Sequence, residues 1–411
     1  MSKKAVVFTL GCKVNSYESA LLGAGLKELG YDVSDKLGWA DLYLLNTCAV
    51  TMEAEKKSRQ LIARVKKFNP LAEIIVTGCA SEKNGKVFFE KQGVKLVTGA
   101  KSKEKILNYL KDGVGGINVE QCDEYRSCDF LPIHEKSRAF VKIQDGCNNF
   151  CSYCIIPYLR GRSRSRDIDE AVNEIARINA NEVVITGIDI SSYSFNGNKL
   201  SDLIYRLIDL DKRIRLGSLE VSVIDEKLLE NLSRLKRFSP QFHLSLQSGS
   251  DKILKSMNRH YTTDEYFKKV ELIRSYFPQA AITTDVIAGY ATETESDFED
   301  SLEFCKKVRF ADIHCFPYSP RSGTVGAKLK DLPSEVKKDR MDRLLALKEE
   351  CKRNYFDLCK QPLTFIFEDY DGEYSYGTCD NYVKCRVKGK IETESKIKLT
   401  AYADVCEAEK I

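Results

Sequence analysis

Cys147, Cys151 and Cys154 stand together in one short stretch, DGCNNFCSYC. The Cys-x3-Cys-x2-Cys spacing puts three thiolates on one tight loop, and the fold must deliver that loop to a place where a ligand can reach it. Soft thiolates suit iron–sulfur clusters, so the loop can hold three irons of a 4Fe–4S cluster. It contains no fourth protein ligand, which leaves one iron open to chelate and reduce a small molecule. The competing readings are three buried thiols or a zinc site. Zinc usually takes four ligands in closely spaced pairs, and no Cys or His pair nearby completes such a set.

The alternation of apolar runs and helical patterns says where that loop sits. Over residues 1–125 the runs AVVFTLG, DLYLLNT, EIIVTGC and VKLVTG each give way to a helical stretch, which implies a parallel α/β sheet with helices over it. Asn15-Ser-Tyr-Glu18 has the form of a cap for the first of these helices. Residues 122–137 read as a linker, with Cys122 and Cys128 as ordinary thiols in it. Beyond them, AFVKIQ, EVVIT, IRLGSLE, FHLSL, AITTDVI and DIHCFP alternate with helices, as expected of a partial (β/α)6 barrel. The cysteine loop follows the first of these strands, at the end where parallel sheets place their chemistry. A charged helix covers roughly 334–360, and five short strands after Pro362 read as a small antiparallel β-barrel. The expected domains are 1–125, 126–350 and 351–411.

Composition limits the classes. The chain has 411 residues, 30% charged and 43% hydrophobic, as in an ordinary globular protein. A net charge of +4 is too small to imply nucleic-acid binding unless it is clustered. No apolar run approaches a membrane span and no signal peptide is visible, so the fifteen cysteines point to a reducing cytoplasm with some of them as metal ligands.

Three further cysteines occupy matching positions: Cys12 after the first strand, Cys48 after DLYLLNT and Cys79 after EIIVTG. Shared topology should bring them to one edge of one sheet, where they could bind a second cluster with an open iron. The alternative is three small buried hydrophobes.

GCKVNSYES, NTCAV, VTGCA and CSYCIIPYLRGRSRSR together resemble the methylthiotransferase family of radical S-adenosylmethionine (SAM) enzymes, over nearly the whole chain and in the family's domain order. GCKVN and RGRSRSR resemble the branch acting on threonylcarbamoyladenosine in tRNA, rather than the branches acting on isopentenyladenosine or on a ribosomal-protein aspartate. The resemblance implies a SAM-binding 4Fe–4S cluster on Cys147, Cys151 and Cys154, an auxiliary 4Fe–4S cluster on Cys12, Cys48 and Cys79, and a C-terminal TRAM domain that binds RNA. It implies that one SAM methylates a cluster sulfur and a second is cleaved reductively, so that C2 of the adenine receives a methylthio group. No side chain is assigned a catalytic role; the protein orients the reactants and excludes water and oxidants. A reduced flavodoxin- or ferredoxin-type donor, tRNA as partner, no membrane and a monomer are expected. A non-enzymatic iron–sulfur RNA-binding protein is the rival of a different class.

SAM also needs groups for its ammonium, carboxylate and ribose. Candidates are Tyr153 in the cluster loop, Gly187 and Asp189 after the second barrel strand, Glu220 after the third, and Ser245, Gln247 and Asp285 further on. Of the strand-end candidates, each except Glu220 reads equally well as a polar residue capping the next helix. For RNA, Arg160, Arg162, Arg164 and Arg166 alternate through LRGRSRSR, and an extended segment would put them on one face. A solvated charged face is the plain alternative. Arg321 and His314 in HCFPYSPRSGT, and Tyr382 and Lys384 with Tyr374, Tyr376 and Arg386 in the last domain, are further RNA candidates, the last group being equally a small barrel's own core. The chain departs from the family at Tyr290-Ala291-Thr292, where Phe-Pro-Gly is usual, and at Val221 after Glu220, where Pro is common.

Overall fold

The computed structural model describes residues 2–120, 122, 124–125, 132 and 137–411. Cys128, most of the expected linker and the 125/126 boundary therefore lie outside the described residues or at their edge.

The first domain runs β1 (Lys4–Thr9), α1 (Lys13–Glu28), β2 (Asp32–Ser34), β3 (Leu42–Thr47), α2 (Met52–Lys66), β4 (Glu73–Gly78), α3 (Cys79–Lys83), α4 (Gly85–Phe89), β5 (Val94–Thr98), α5 (Ile106–Lys111) and β6 (Gly116–Asn118). Its strands form a parallel sheet in the order β2-β1-β3-β4-β5-β6. Both faces are covered, so β3 is buried along its whole length. Val6, Leu45, Ile74 and Val76 fill one side, and Ala5, Val7, Leu44 and Ile75 the other. α1 begins at Lys13 with Cys12 as its cap residue. Asn15 and Glu18 do not cap it, in contrast to the expectation, because both are inside the helix with other partners.

The second domain comprises β7 (Arg138–Asp145), α6 (Ile156–Arg160), β8 (Arg164–Ser165), α7 (Ile168–Arg177), β9 (Glu182–Gly187), a hairpin of β10 (Ser194–Phe195) and β11 (Asn198–Lys199), α8 (Leu200–Arg206), β12 (Arg213–Leu216), β13 (Ser218–Leu219), α9 (Glu226–Ser233), β14 (Arg237–Phe238), β15 (Gln241–Leu244), α10 (Asp251–Ser256), α11 (Thr263–Tyr276), β16 (Ala281–Ala288), α12 (Glu295–Val308), β17 (Asp312–Pro317) and α13 (Ser334–Leu358). β12 pairs with β9 and β13 with β15, so one strand, broken at Gly217, joins two sheets. The result is the six-stranded half barrel β7-β9-β12/β13-β15-β16-β17. Alternate strand residues face the helices and form the core with Val141, Ile185, Leu244 and Phe298. The others, such as Glu182, Arg215, His243 and Asp285, face inward.

β18 (Leu363–Tyr370), β19 (Tyr374–Cys379), β20 (Lys384–Lys388), β21 (Glu394–Ala401) and β22 (Cys406–Lys410) close into a barrel. The expected boundary at 350/351 falls inside α13, a single helix of 25 residues; the chain changes domain between Leu358 and Leu363. The small barrel docks on the half barrel through polar contacts. Arg215 stacks on Tyr382 and donates to the Cys379 carbonyl at 3.2 Å. Arg138 bonds Glu368, and Arg213 bonds Glu394. Among the described residues no helix is long and apolar enough to cross a membrane.

Candidate active site

The loop after β7 turns at Gly146, whose φ is +71°. A Cβ there would stand 1.9 Å from the Arg162 carbonyl oxygen, so only glycine lets the cysteine loop lie against the Arg162 segment. Cys147 N–H donates to the Gly161 carbonyl, and Cys154 N–H to that of Cys151 at 2.9 Å. Donors already meet two of the sulfurs: Asn149 N–H at Cys147 and Arg259 Nη1 at Cys151, 3.4 Å away. Tyr290, one of the departures from the family pattern, supports the loop from below by a 2.7 Å hydroxyl bond to Ser152.

Cys12, Cys48 and Cys79 follow β1, β3 and β4 and face one another closely enough to perturb each other's charge. Two glycines permit this. A Cβ on Gly11 (φ +103°) would touch Cys48 Sγ at 2.9 Å, and one on Gly78 (φ +106°) would meet the Thr47 carbonyl oxygen at 2.4 Å. The two sets meet at the domain junction, where Cys79 packs in one buried cluster with Ile155 and Leu159, just after Cys154. Burial pushes the Cys48 thiol up to about 11, and those of Cys147 and Cys154 up to about 12. Such thiols ionise at neutral pH only when a metal takes the proton's place.

Neither cysteine set is gathered as tightly as a single ion requires. Thiolates around a single zinc stand about 3.8 Å apart. Among the described residues the His, Cys, Asp or Glu trio gathered within 4.8 Å is His243, Asp285 and His314, not either cysteine set. The surroundings fit too. Arg160 is fully buried beside Cys79, and its Nε has no hydrogen-bond partner. A buried donor left open beside the Cys79 thiol suits a cluster whose sulfur atoms accept.

Of the candidate SAM residues, Asp189 and Glu220 come together at the cysteine loop through Asn149, whereas Tyr153 packs against the apolar cluster of Met257, Ile287 and Tyr290. Asn149 Nδ2 bridges Asp189 and Glu220 at 3.3 and 3.1 Å. Glu220 also pairs with Arg259 at 2.8 Å. Burial and then Glu220 raise Asp189 to about 6, an environment that favours a cation or hydroxyl donor on the carboxylates. Gly187 leads into this loop, where Asp189 N–H donates to Gln144. The Ser245 carbonyl receives Arg259 and Tyr261. Gln247 takes a left-handed backbone (φ +73°) that bridges to β16. Asp285 stands apart: it receives His243 and His314, each at 3.2 Å. The sequence reading missed Asn149 and Arg259. Asn149 lay inside the motif, whereas nothing local marks Arg259 in SMNRHY.

The arginine run does not form one face. Arg160 sits on α6 and pairs with Glu18 and Asp145, each at 3.0 Å. Arg164 binds Asp145 and the Arg160 carbonyl. Arg166 is buried against Glu174 and Tyr17. Arg321 is buried and paired with Glu55 at 2.7 Å. These four are held in ion pairs and are unavailable to phosphate. Tyr382 is stacked on Arg215 at the domain junction rather than offered to a base. Arg162 and Lys384 are exposed.

Comparison with known proteins fits this architecture. Residues 141–305 match the Radical SAM superfamily, and residues 4–99 match a family described as "Uncharacterized protein family UPF0004". The threonylcarbamoyladenosine tRNA methylthiotransferase MtaB of Bacillus subtilis is 36% identical over 95% of this chain and 91% of its own. This chain is a radical SAM methylthiotransferase. The MtaB of Aquifex aeolicus is 37% identical over 86% of this methylthiotransferase and 90% of its own length. The tRNA-2-methylthio-N(6)-dimethylallyladenosine synthase of Clostridium novyi is 35% identical over 84% and 80%. Among solved structures, the radical SAM methyltransferase TsrM from Kitasatospora setae shares the fold, with a TM-score of 0.57 over 80% of this chain and 76% of its own at 13% identity.

Proposed function

We propose that this methylthiotransferase replaces the C2 hydrogen of N6-threonylcarbamoyladenosine, beside the anticodon of tRNA, with a methylthio group. The observation that carries the reading is that Cys79 of the first domain packs in one buried cluster with Ile155 and Leu159, which follow the cysteine loop of the second. Cys147, Cys151 and Cys154 hold the SAM cluster, and Cys12, Cys48 and Cys79 an auxiliary 4Fe–4S cluster. When bound, these groups and SAM supply the sulfur, the methyl group and the reductive radical chemistry. The chain's own part is placement: Asp189, Glu220 and Asn149 receive the SAM ammonium and ribose, Arg259 steadies Glu220 and the Cys151 sulfur, and the buried walls exclude water.

The B. subtilis relative matched over most of both chains favours threonylcarbamoyladenosine. The dimethylallyladenosine synthases, at comparable identity over less of this chain, are the second reading. Purified, anaerobically reconstituted enzyme given SAM and two tRNAs decides between them by nucleoside mass spectrometry. Methylthiolation of the threonylcarbamoyl tRNA and little of the isopentenyl tRNA is expected; the reverse overturns the substrate.

For RNA, the proposal now rests on Arg162 and Lys384. Arg162 lies 4.5 Å over the Phe150 ring, and exposed Tyr158 meets the same ring edge-on. This cation and aromatic ledge adjoins the cysteine loop and suits a phosphate and a base. Arg162→Ala should weaken tRNA binding and reduce the slope of log affinity against log salt by about one phosphate's worth. Arg164→Ala should instead lower stability, through Asp145. Titration at several salt concentrations and thermal melts separate the two.

A further inference from the structure

The strand register of the half barrel gathers three metal-ligating side chains on its inner face. His243 of β15 pairs with Thr283 of β16, and Asp285, two residues further along β16, pairs with His314 of β17. Residues two apart on a strand share a face, so His243, Asp285 and His314 point the same way from three neighbouring strands. One donor atom from each lies within 4.8 Å of the others.

The spacing is that of ligands around an ion. His243 Nε2 stands 3.2 Å from Asp285 Oδ2, and His314 Nδ1 stands 3.2 Å from Asp285 Oδ1. A charge-assisted hydrogen bond to a carboxylate closes to about 2.7–2.9 Å. Ligand atoms held about 2.0–2.1 Å from one tetrahedral ion stand about 3.3 Å apart. The two imidazoles stack with centroids 5.1 Å apart, so both present a nitrogen to the same carboxylate. His243 is buried and fixed from behind: its Nδ1 meets Thr283 Oγ1 at 3.0 Å, and the Gln241 amide donates to the same oxygen at 2.8 Å. Metal-ligating imidazoles are held in this way on the nitrogen that does not bind the ion. On its other side the trio is open, with the His314 side chain 41% exposed.

We propose that His243, Asp285 and His314 form a mononuclear site for a divalent transition-metal ion, built from other residues than the two cysteine sets. Two imidazoles and a carboxylate suit zinc and other first-row divalent ions. Three protein ligands leave a further position, which water or an anionic oxygen fills. That position is on the inner face of the half barrel, where the exposed His314 gives access to it. The site goes beyond the methylthio-transfer reading, uses no cysteine, and stands whether or not the substrate assignment does.

The test equilibrates the anaerobically reconstituted holoenzyme with Zn2+ and removes the unbound ion by gel filtration. Wild type should retain about one zinc per chain beyond its iron. X-ray absorption at the zinc edge should show nitrogen and oxygen ligands at about 2.0–2.1 Å and no sulfur at about 2.3 Å. Asp285→Asn and His314→Gln should each bind zinc at least about tenfold more weakly, with iron content unchanged. His314 is half exposed, so its replacement keeps the test decisive where Asp285→Asn disturbs the fold. A wild type that retains no zinc, sulfur in the zinc shell, or equal zinc in wild type and His314→Gln overturns the site.

Discussion

Cys151→Ala should abolish reductive cleavage of SAM, and methylthio transfer with it, whereas Cys48→Ala should retain cleavage and lose transfer. Cys151 is one of three thiols on the loop after β7, and Arg259 donates to its sulfur while also binding Glu220. On the proposed reading, removing it takes away an iron ligand and breaks its link, through Arg259, to the groups proposed for SAM. Cys48 belongs to another sheet, at the end of β3, and none of Asn149, Asp189, Glu220 or Arg259 bonds to it. Its loss leaves the SAM side intact. The measurements are deoxyadenosine release without tRNA and methylthionucleoside formation with it. Full transfer by Cys48→Ala would remove the auxiliary cluster from the account.

Arg160→Met should unfold or severely destabilise the junction, by about 3–5 kcal/mol, because it breaks a buried ion pair on one side only. Glu18 is buried and so is Asp145. Against the burial that would raise it, Arg160, Lys103 and Lys142 hold the Glu18 carboxyl well below the usual range. Lys142, Arg160 and Arg164 do the same for Asp145. These depressed carboxylates stabilise the fold above about pH 4, their unfolded range, and that contribution is lost as pH falls through their folded values. The difference between wild type and Arg160→Met should therefore be largest at neutral pH and shrink below about pH 4. Arg160→Lys keeps the charge with fewer donors and should fall between the two. Chemical denaturation across pH measures this; a constant difference would mean that packing, not charge, holds Arg160.

The same residue shows where reading the sequence stops. The strand-end positions of Cys12, Cys48 and Cys79 were legible, because apolar runs followed by helices dictate a parallel sheet and a common edge. So was the half barrel, apart from its third strand, which divides between two sheets at Gly217. The arginine run misled. Its alternation looks extended, but only Arg164–Ser165 forms a strand, and Arg160 is helical. Its partner Glu18 lies 142 residues away, and no local pattern announces such a pair. Glu18 itself looked like a helix cap for the same reason: its local spacing was suitable, and its distant cations were invisible. The expected boundary at 350/351 lies within α13, whose buried face continues from Arg340 to Tyr355, so nothing in composition marks where one domain yields to the next.

The iron content of anaerobically reconstituted protein, resolved by Mössbauer spectroscopy, tests the two-cluster account most directly. Wild type should carry about eight irons in two four-iron clusters. Cys48→Ala and Cys151→Ala should each disturb one cluster's spectrum and leave the other's unchanged. A wild type with a single four-iron cluster, unaffected by Cys48→Ala, would contradict it.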